Sequence, residues 1–562
     1  MQTLPFLTVP ARERMTMRIA PALTSLFVAL LMSISSGSVR GAELPGAERE
    51  IADVIDELIE RKLAEKEIKP APSIEDVPFL RRLSLDLAGR VPTPQELADF
   101  EQLPPETRRL SLIDNLLNSS DFAFHQRNEI DLLLLARIRK DDEWRKYLLT
   151  ATRENRSWSQ IFQEVITPEY SLPDQKGSTA FIRERVRELD DLTNDTAVLF
   201  FGVNIGCAKC HDHPLVDDWH QKHYFGMSSF FKRTYITKGQ GIAEDFQGEV
   251  KFTTVGGEEK QASFVFLTNA EVKEPETMLD DSKRRELQEQ VKNSRNDDKV
   301  KPPTLSFSPR KQLVELALGD QTNSFLARNI VNRIWARLMG YGLVMPLDQM
   351  HSGNRPSHPE LMDWLARDLI AHHYDLKRLI RGIVQSRAYA RSSRWTGGGD
   401  IPSADLFAVG RVCPLTPRQL SLSLTMVSQA ASRLPGLTKP ADWETQRQQF
   451  EDRSNGFADL LQIPEENFQV STDEALLFSN SKRFESEYLG GGNDRLVGQL
   501  RQMESDEEAT ATLFRAVLSR NPDAEESQSV VDFLSSRHDR REESLRYVSW
   551  ALMSSPEFRF NH

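Results

Sequence analysis

Cysteine is scarce in this sequence. Of 562 residues only three are cysteines, Cys207, Cys210 and Cys413. Three cysteines cannot form the several disulfide bonds that hold small secreted scaffolds together, so that class of protein is excluded. Two of the three lie in one short segment, Cys207-Ala-Lys-Cys210-His211, and this segment is the strongest indication of chemistry in the chain.

Positive charge is also in deficit. The chain has 71 Lys and Arg against 83 Asp and Glu, a formal net charge of -12, and no local cluster of basic residues compensates for it. Proteins that bind nucleic acids or anionic lipid surfaces neutralise phosphates with a basic surplus. We therefore predict that neither is a partner.

Several familiar catalytic motifs are missing. The sequence contains no Walker loop, no serine-nucleophile elbow and no His-Glu-x-x-His zinc helix. Beyond the N-terminal region no window is apolar enough to span a bilayer, which takes roughly 20 residues in a helix. These absences leave the cysteine segment as the main candidate site.

The first residues have the pattern of a targeting segment. Arg12, Arg14 and Arg18 precede an apolar run over residues 19–34, and small residues follow up to Ala42. This order predicts a signal peptide over 1–42 and export to the periplasm or the extracellular space. Cleavage would leave no integral membrane span. A retained N-terminal anchor is the alternative.

The remaining chain is long enough for two or more hydrophobic cores. Apolar residues at helical spacing, over residues 51–63 and 325–338 for example, predict amphipathic helices, and Thr93-Pro-Gln-Glu96 predicts a capping box. Alternating residues on both sides of Gly256-Gly257, over 248–255 and 262–267, predict a β-hairpin. Residues 280–301 are highly charged and suit a solvated linker or an exposed helix.

The predicted fold class is therefore mainly α, with two helical domains and a small β-hairpin insertion between them. The N-terminal helical domain is predicted over residues 43–235 and contains the cysteine segment. A hairpin and charged linker follow over 236–310. The C-terminal helical domain is predicted over 311–562.

The cysteine segment matches the chemistry of covalent haem attachment. A c-type haem needs two thiols for thioether bonds to its vinyl groups and an imidazole that binds the iron from the same side. Cys207, Cys210 and His211 stand at i, i+3 and i+4, which on one helical turn would place all three on one face. We predict that the cofactor is haem c, attached through the two cysteines, with His211 as proximal ligand.

Other interpretations of the same residues remain open. The two cysteines could form a redox dithiol or a local disulfide, and with His211 and His213 they could bind zinc. A metal held by His211 and His213 could also serve an exported hydrolase, although no carboxylate base is identifiable by spacing.

The second axial position of a haem iron has three candidates. His220, His223 and Met227 lie far enough along the chain to reach the distal face if Pro214 reverses its direction. His213 is too close to His211 to do so, and we expect it to make a supporting contact. We predict bis-His ligation through His223 or His220, with Met227 as the alternative.

Two longer stretches resemble known domains. The stretch Phe79-Leu-Arg-Arg-Leu-Ser-Leu-Asp-Leu-Ala-Gly-Arg-Val-Pro-Thr-Pro94, together with Cys207-Ala-Lys-Cys-His-Asp-His-Pro214, resembles the planctomycetal cytochrome-type domain known as domain of unknown function 1549. Residues 327–336, 340–344, 356–361 and 550–558 resemble its usual companion, domain of unknown function 1553. The resemblance implies export, a bacterial source and a cytochrome-like protein. This chain has His220-Gln-Lys-His223 where the family usually has an acidic residue.

Two functions from different classes follow. The first is an exported haem protein with an electron-transfer or redox role and a redox or envelope protein as partner. The second is a non-redox envelope module in which the cluster holds zinc and the protein binds a partner or a polysaccharide. The C-terminal half adds eight polar candidates, some of which a solvated helix face would also explain: Arg328, Asn332, Arg333, Asp348, His351, His358, Glu360 and Asp363.

Overall fold

A computed structural model describes residues 46, 48–135, 141–213, 216–276, 279–320, 324–464 and 471–562. The predicted signal peptide and Pro214 lie outside these residues. The described secondary structure is mainly helical, and its strands form only small two-stranded antiparallel sheets, so the predicted fold class is confirmed. In this part of the chain no helix is both long and apolar enough to cross a membrane.

The helices before the first strand form where apolar residues recur at helical spacing. The first of them buries Val54, Ile55 and Leu58, as the spacing predicts. The third begins with the predicted capping box, in which Thr93 and Glu96 accept hydrogen bonds from each other's backbone N–H. These helices are α1 (Ile51–Glu65), α2 (Asp76–Ala88), α3 (Pro94–Gln102), α4 (Arg108–Leu117), α5 (Ser120–Leu135), α6 (Asp142–Arg153), α7 (Trp158–Ile166), α8 (Ala180–Arg183), α9 (Leu189–Phe201) and α10 (Gln221–Phe231).

Three hairpins follow, pairing β1 with β2, β3 with β4 and β5 with β6. The hairpin predicted around Gly256-Gly257 is present, but its second strand lies earlier than predicted, because the tight turn lets pairing resume at Glu259 opposite Thr253. Residues 264–265 start the third hairpin instead. The strands are β1 (Thr234–Ile236), β2 (Ile242–Glu244), β3 (Lys251–Thr253), β4 (Glu259–Gln261), β5 (Phe264–Val265) and β6 (Glu271–Val272).

The charged stretch after the hairpins is a helix, with mostly exposed side chains and a buried contact side formed by Leu287 and Val291. The helices that follow it carry the apolar stripes predicted for the second half, and Gly340 ends one of them in the left-handed conformation, at φ 73°. They are α11 (Asp281–Asn296), α12 (Pro309–Gly319), α13 (Phe325–Met339), α14 (Pro359–Ala371) and α15 (Leu376–Gln385).

The remaining helices lie toward the C-terminus, where a last pair of short strands joins Cys413 to Asn561. These elements are β7 (Cys413–Pro414), α16 (Pro417–Val427), α17 (Trp443–Ala458), α18 (Thr472–Asn480), α19 (Lys482–Tyr488), α20 (Leu496–Arg501), α21 (Asp506–Leu518), α22 (Ala524–Ser535), α23 (Arg541–Ser554), α24 (Pro556–Arg559) and β8 (Phe560–Asn561).

The boundary between the two main hydrophobic cores does not fall at the predicted linker, residues 236–310. The first core runs from Ile51 to Ala408 and joins residues from both sides of 236–310. The second combines residues 415–558 with Leu85 and Val91, which belong to α2 and the loop after it. Residues 51–408 therefore contribute to one core, while the division into two helical domains at 236–310 stays a prediction.

A buried ionic cluster ties the N-terminal helices to α17. The Arg90 guanidinium donates to both oxygens of Glu96, at 2.8 Å each, and to Asp121 at 2.6 Å. Arg447 of α17 lies 3.0 Å from the other Asp121 oxygen. All four side chains are almost completely buried, so each charge depends on its partners for stabilisation.

Candidate functional site

The loop that carries the cysteines starts where α9 ends. Gly202 adopts the left-handed conformation, at φ 68°, and a Cβ there would lie 2.8 Å from the side-chain oxygen of Asn329. Glycine is therefore needed both for the backbone and for the close approach of α13. The next residue, Val203, forms a β-bridge with Gln349, which fixes the start of the loop to the C-terminal half of the chain.

The cysteine motif itself is a tight turn. Residues Gly206–Lys209 form one 3-10 turn, and Cys210 ends it with a backbone hydrogen bond to Cys207. The prediction that the motif forms one α-helical turn is wrong, because α9 has stopped at Gly202 and α10 begins only at Gln221. Buried Ala208 anchors the turn, while Cys207 and Cys210 are free and exposed.

His211 extends from the end of this turn and is also exposed. Its Nδ1 lies 2.8 Å from the backbone carbonyl oxygen of Asp212. A carbonyl only accepts hydrogen bonds, so Nδ1 carries a proton, and in the neutral ring Nε2 keeps its lone pair. This is the tautomer that a histidine needs in order to bind a metal through Nε2.

Asp212 connects the motif to α10. One of its carboxylate oxygens accepts from the backbone N–H of Gln221 at 2.9 Å, and the other lies 3.2 Å from His220 Nδ1. The Gln221 hydrogen bond is the main cause of the lowered pKa of Asp212. The side chain of Gln221 donates to the Cys210 carbonyl at 3.3 Å. Gln221, at the start of α10, therefore contacts both Cys210 of the motif and Asp212 just after it.

His223 is buried and both of its ring nitrogens are engaged. Nδ1 accepts from the backbone N–H of His220 at 3.0 Å, and Nε2 lies 2.9 Å from the amide oxygen of Asn269 in the third hairpin. Burial is the main cause of its lowered pKa. Because the Asn269 oxygen only accepts, Nε2 carries the proton, and binding a metal there would require breaking this contact.

The other predicted axial candidates occupy different environments. Met227 is completely buried in the first hydrophobic core. The side chain of His220 is 46% exposed and its ring stacks on that of His223, with ring centroids 5.7 Å apart. His213 donates its backbone N–H to Trp219, and its side chain lies close enough to His351 to contribute, after burial, to the lowered pKa of His351. His220 is thus the most accessible of the distal candidates.

A second ionic contact supports the turn from α9. Lys209 pairs with Asp190, and the phenol of Tyr224 donates to the same carboxylate. These two hydrogen bonds, with Lys209 as the larger cause, lower the pKa of Asp190. The lysine inside the motif is therefore used to fix the turn.

Of the eight polar candidates in the C-terminal half, the structure brings two to the motif loop. Asp348 accepts from the Asn204 amide at 3.1 Å, and His351 follows in the same loop. The others serve the fold. Asn332 bonds the backbone of Val344, Arg333 donates to the Val198 carbonyl, Arg328 pairs with Asp363, Glu360 pairs with Arg61, and His358 packs against Phe407.

The site also contains residues that the motif alone does not reveal. Asp190, Gln221 and Asn269 hold the turn and its histidines. Asp212 directly follows the motif, but its contact with the backbone of Gln221, nine residues on, matches no local capping pattern. Asn269 lies 46 residues from His223, and no local pattern points to it.

The arrangement of donor groups bears on the metal alternative. In the described parts of the chain no group of three or more His, Cys, Asp or Glu side chains is arranged to hold a metal ion. A zinc site built from Cys207, Cys210, His211 and His213 would therefore require these side chains to move together. The two cysteines and His211 alone satisfy the donor chemistry of a c-type haem.

Comparison with known families agrees with the resemblance of the sequence. The family PSCyt2, described as a protein of unknown function (DUF1549), matches residues 54–235. The family PSD1, described as a protein of unknown function (DUF1553), matches residues 309–534. No curated protein and no solved structure matches the chain. The chain therefore belongs to the proteins in which a DUF1549 domain is followed by a DUF1553 domain.

Proposed function

We propose that this is an exported protein that carries haem c on Cys207 and Cys210, with His211 as proximal ligand, and that it transfers electrons. One observation carries the proposal: two free, exposed thiols lie on a fixed turn, directly before a histidine whose Nδ1 is held by a backbone carbonyl. That hydrogen bond leaves Nε2 available for iron.

On the protein side, covalent attachment of a haem needs only the thiols of Cys207 and Cys210. Each thiol would add across one vinyl group of a bound porphyrin, with its sulfur bonding to one vinyl carbon and its hydrogen going to the other. Exposure of Cys207 and Cys210 leaves room for a macrocycle to approach from solvent, which a buried pair would not. When bound, the haem supplies a one-electron redox centre.

The surroundings of the turn support a fixed ligand geometry. Lys209, between the cysteines, is held by Asp190, and Gln221 holds the carbonyl of Cys210. Ligands held in this way keep nearly the same geometry when an iron changes oxidation state, and this favours electron transfer. Of the distal candidates, His220 is the most exposed, and its side chain would give up only its contact with Asp212 and its ring contact with His223 on turning toward an iron.

Export is the second part of the proposal. It is supported by the order of basic, apolar and small residues over 1–42 and by the chemistry of the motif, since haem attachment through thioethers takes place outside the bacterial cytosol. N-terminal sequencing of the secreted or periplasmic product tests it. We expect a mature N-terminus near Ala42 or Glu43; an intact N-terminus in the cytosolic fraction would contradict it.

The decisive experiment is expression of the full chain together with a c-type haem maturation system. We expect haem that stays attached after denaturation, and loss of this attachment in Cys210→Ala. Cys413→Ala is the matched control, since this third cysteine lies outside the motif and should leave haem attachment unchanged. A haem-free product with stoichiometric zinc would overturn the proposal in favour of the structural zinc module.

A further inference from the structure

A second site lies away from the cysteine loop, where the two hydrophobic cores meet. A cavity of about 110 Å³ is enclosed by α2, α5 and α13, by residues 409–416 and by Asn561 at the C-terminus. Its lining is unusually polar for an interior space and includes Arg82, Asp86, Glu129 and Arg337. Buried polar groups are normally paired, so the unpaired ones indicate what the cavity can bind.

Arg82 is the clearest such group. Its side chain is buried, with 5% of the residue exposed, and one terminal nitrogen donates to the carbonyls of Tyr389 at 2.7 Å and Arg391 at 2.9 Å. The other terminal nitrogen is buried and has no hydrogen-bond partner among the described residues. It faces Gly410, where a Cβ would lie only 3.1 Å away. No described carboxylate forms an ion pair with this guanidinium.

Arg337 contributes a second incomplete guanidinium from α13. One terminal nitrogen donates to the amide oxygen of Gln126 at 3.2 Å and lies 3.8 Å from Glu129. Its Nε and its other terminal nitrogen are buried without a partner in the described structure. Arg411, which is exposed, lies at the rim of the same cavity.

The acidic groups of the cavity leave the buried, unpartnered nitrogens of Arg82 and Arg337 unsatisfied. The Asp86 carboxylate is already occupied, accepting from the Tyr389 hydroxyl at 2.6 Å and from the Asn561 amide at 2.8 Å. Burial raises the pKa of Asp86 to about 7 and also raises the pKa of Glu129. Burial likewise favours the neutral form of His125. Burial also lowers the pKa of Arg82, while the acids that face the cavity are shifted toward their neutral forms.

We propose that this cavity binds a small oxyanion between Arg82 and Arg337. Guanidinium groups pair with carboxylate, phosphate and sulfate through parallel N–H···O hydrogen bonds, which matches the unused donors of both side chains. The volume holds several water-sized groups, enough for an acetate or a sulfate. The proposal is independent of the haem assignment, because the two sites share no residue.

Titration calorimetry on the full chain tests this site, after exhaustive dialysis, with sodium sulfate, phosphate and acetate as separate probes at constant ionic strength. We expect saturable binding of one anion per chain for at least one probe, and the preferred probe distinguishes the three chemistries. Arg337→Gln should weaken binding by roughly tenfold or more, and Arg82→Gln should do the same.

The chain provides matched controls for both variants. Arg81 is the neighbour of Arg82 on α2 and donates to the carbonyls of Val517, Glu557 and Phe558, outside the cavity. Arg333 lies one turn before Arg337 on α13. Arg81→Gln and Arg333→Gln should retain the parental affinity. The absence of saturable binding for every probe would overturn the proposal, and so would unchanged affinity in both Arg82→Gln and Arg337→Gln or equal loss in the controls.

Discussion

The carboxylate of Asp218 accepts two hydrogen bonds from Ser352, one from the backbone N–H and one from the hydroxyl, both at 2.7 Å. The two residues are 134 positions apart, one in the loop after the cysteine motif and the other in the DUF1553 region. Together with the bridge between Val203 and Gln349, this contact fastens both ends of the motif loop to the same segment.

Removal of that carboxylate should loosen the attachment locally. We expect Asp218→Ala to increase hydrogen exchange at the Ser352 amide by roughly tenfold, because a hydrogen bond to a charged acceptor is lost, with little change in global stability. Mass spectrometry of exchanged peptides measures it. Asp217→Ala is the control, since that exposed carboxylate makes no hydrogen bond within the described structure. Equal exchange in the two variants would contradict the role of Asp218.

The distal position of the proposed haem can be tested with three substitutions. His223 has both ring nitrogens engaged and Met227 is buried in the core, so His223→Ala and Met227→Leu should keep the parental low-spin spectrum. His220→Ala should convert the iron to a high-spin form. Visible spectra of the reduced proteins report the difference. A low-spin spectrum in His220→Ala would place the distal ligand elsewhere.

The buried cluster around Arg90 should contribute strongly to stability. Burial opposes ionisation of Glu96, but the charges of Arg90 and Lys439 outweigh it and lower its pKa to about 2. Arg90→Met leaves the carboxylates of Glu96 and Asp121 without their main partner, and we expect a loss of about 3–5 kcal/mol in the free energy of unfolding. Urea denaturation measures it at neutral pH.

A surface pair provides the comparison for this substitution. Arg49 pairs with Glu57 where the two side chains are 38% and 47% exposed. Arg49→Met should change the free energy of unfolding by less than about 1 kcal/mol. A similar loss of free energy of unfolding in the two variants would show that the buried cluster contributes no more to stability than a surface ion pair.

The raised pKa of Asp86 predicts a pH dependence with a definite sign. The folded state binds the Asp86 proton more tightly than the unfolded chain does, so this residue favours folding at low pH. Its contribution falls as the pH rises from about 4 to about 7 and is constant above that. Asp86→Asn removes the ionisation while an amide oxygen still accepts from Tyr389.

We therefore compare the free energy of unfolding of Asp86→Asn with that of the parent at two pH values. We expect this difference to favour the variant more at pH 8 than at pH 5. Arg82 and Glu129 face the same cavity and are unchanged in the variant, so the difference between the two proteins isolates Asp86. Urea denaturation at both pH values measures it, with Asp217→Asn as a control at an exposed position. An identical pH profile for parent and Asp86→Asn would contradict the prediction.

Much of the fold was readable from the sequence. The apolar stripes of α1 and α13 and the capping box at Thr93 are local patterns, and the helices form where these patterns predict them. The mainly α fold class follows from their number. Local patterns succeeded because a helix buries one side whatever it packs against.

The site was readable only in part. The motif identified the cysteines and His211, but its spacing could not distinguish an α-helical turn from the 3-10 turn that is present. That choice depends on where α9 ends and α10 begins, and Gly202 ends α9 in the left-handed conformation at a point that α13 approaches closely. The contacts of His223 with Asn269 and of Asp218 with Ser352 join distant parts of the chain. No periodicity encodes such pairs, because they depend on tertiary packing.

The shared core of residues 51–408 has a consequence for the order of folding. Asp56 of α1 accepts hydrogen bonds from Arg387 and Ala388, the latter 332 residues away. At about 5–20 residues per second, roughly 15–70 seconds of synthesis separate α1 from its packing partners. An isolated 15-residue helix is only marginally stable in water, so during that time Ile51, Val54 and Ile55 have no native surface to cover them. Helix α1, the first in the described part of the chain, is therefore among the last helices of the shared core to reach its final place, and a nascent chain that stops before Ala388 presents this apolar stripe to chaperones and proteases.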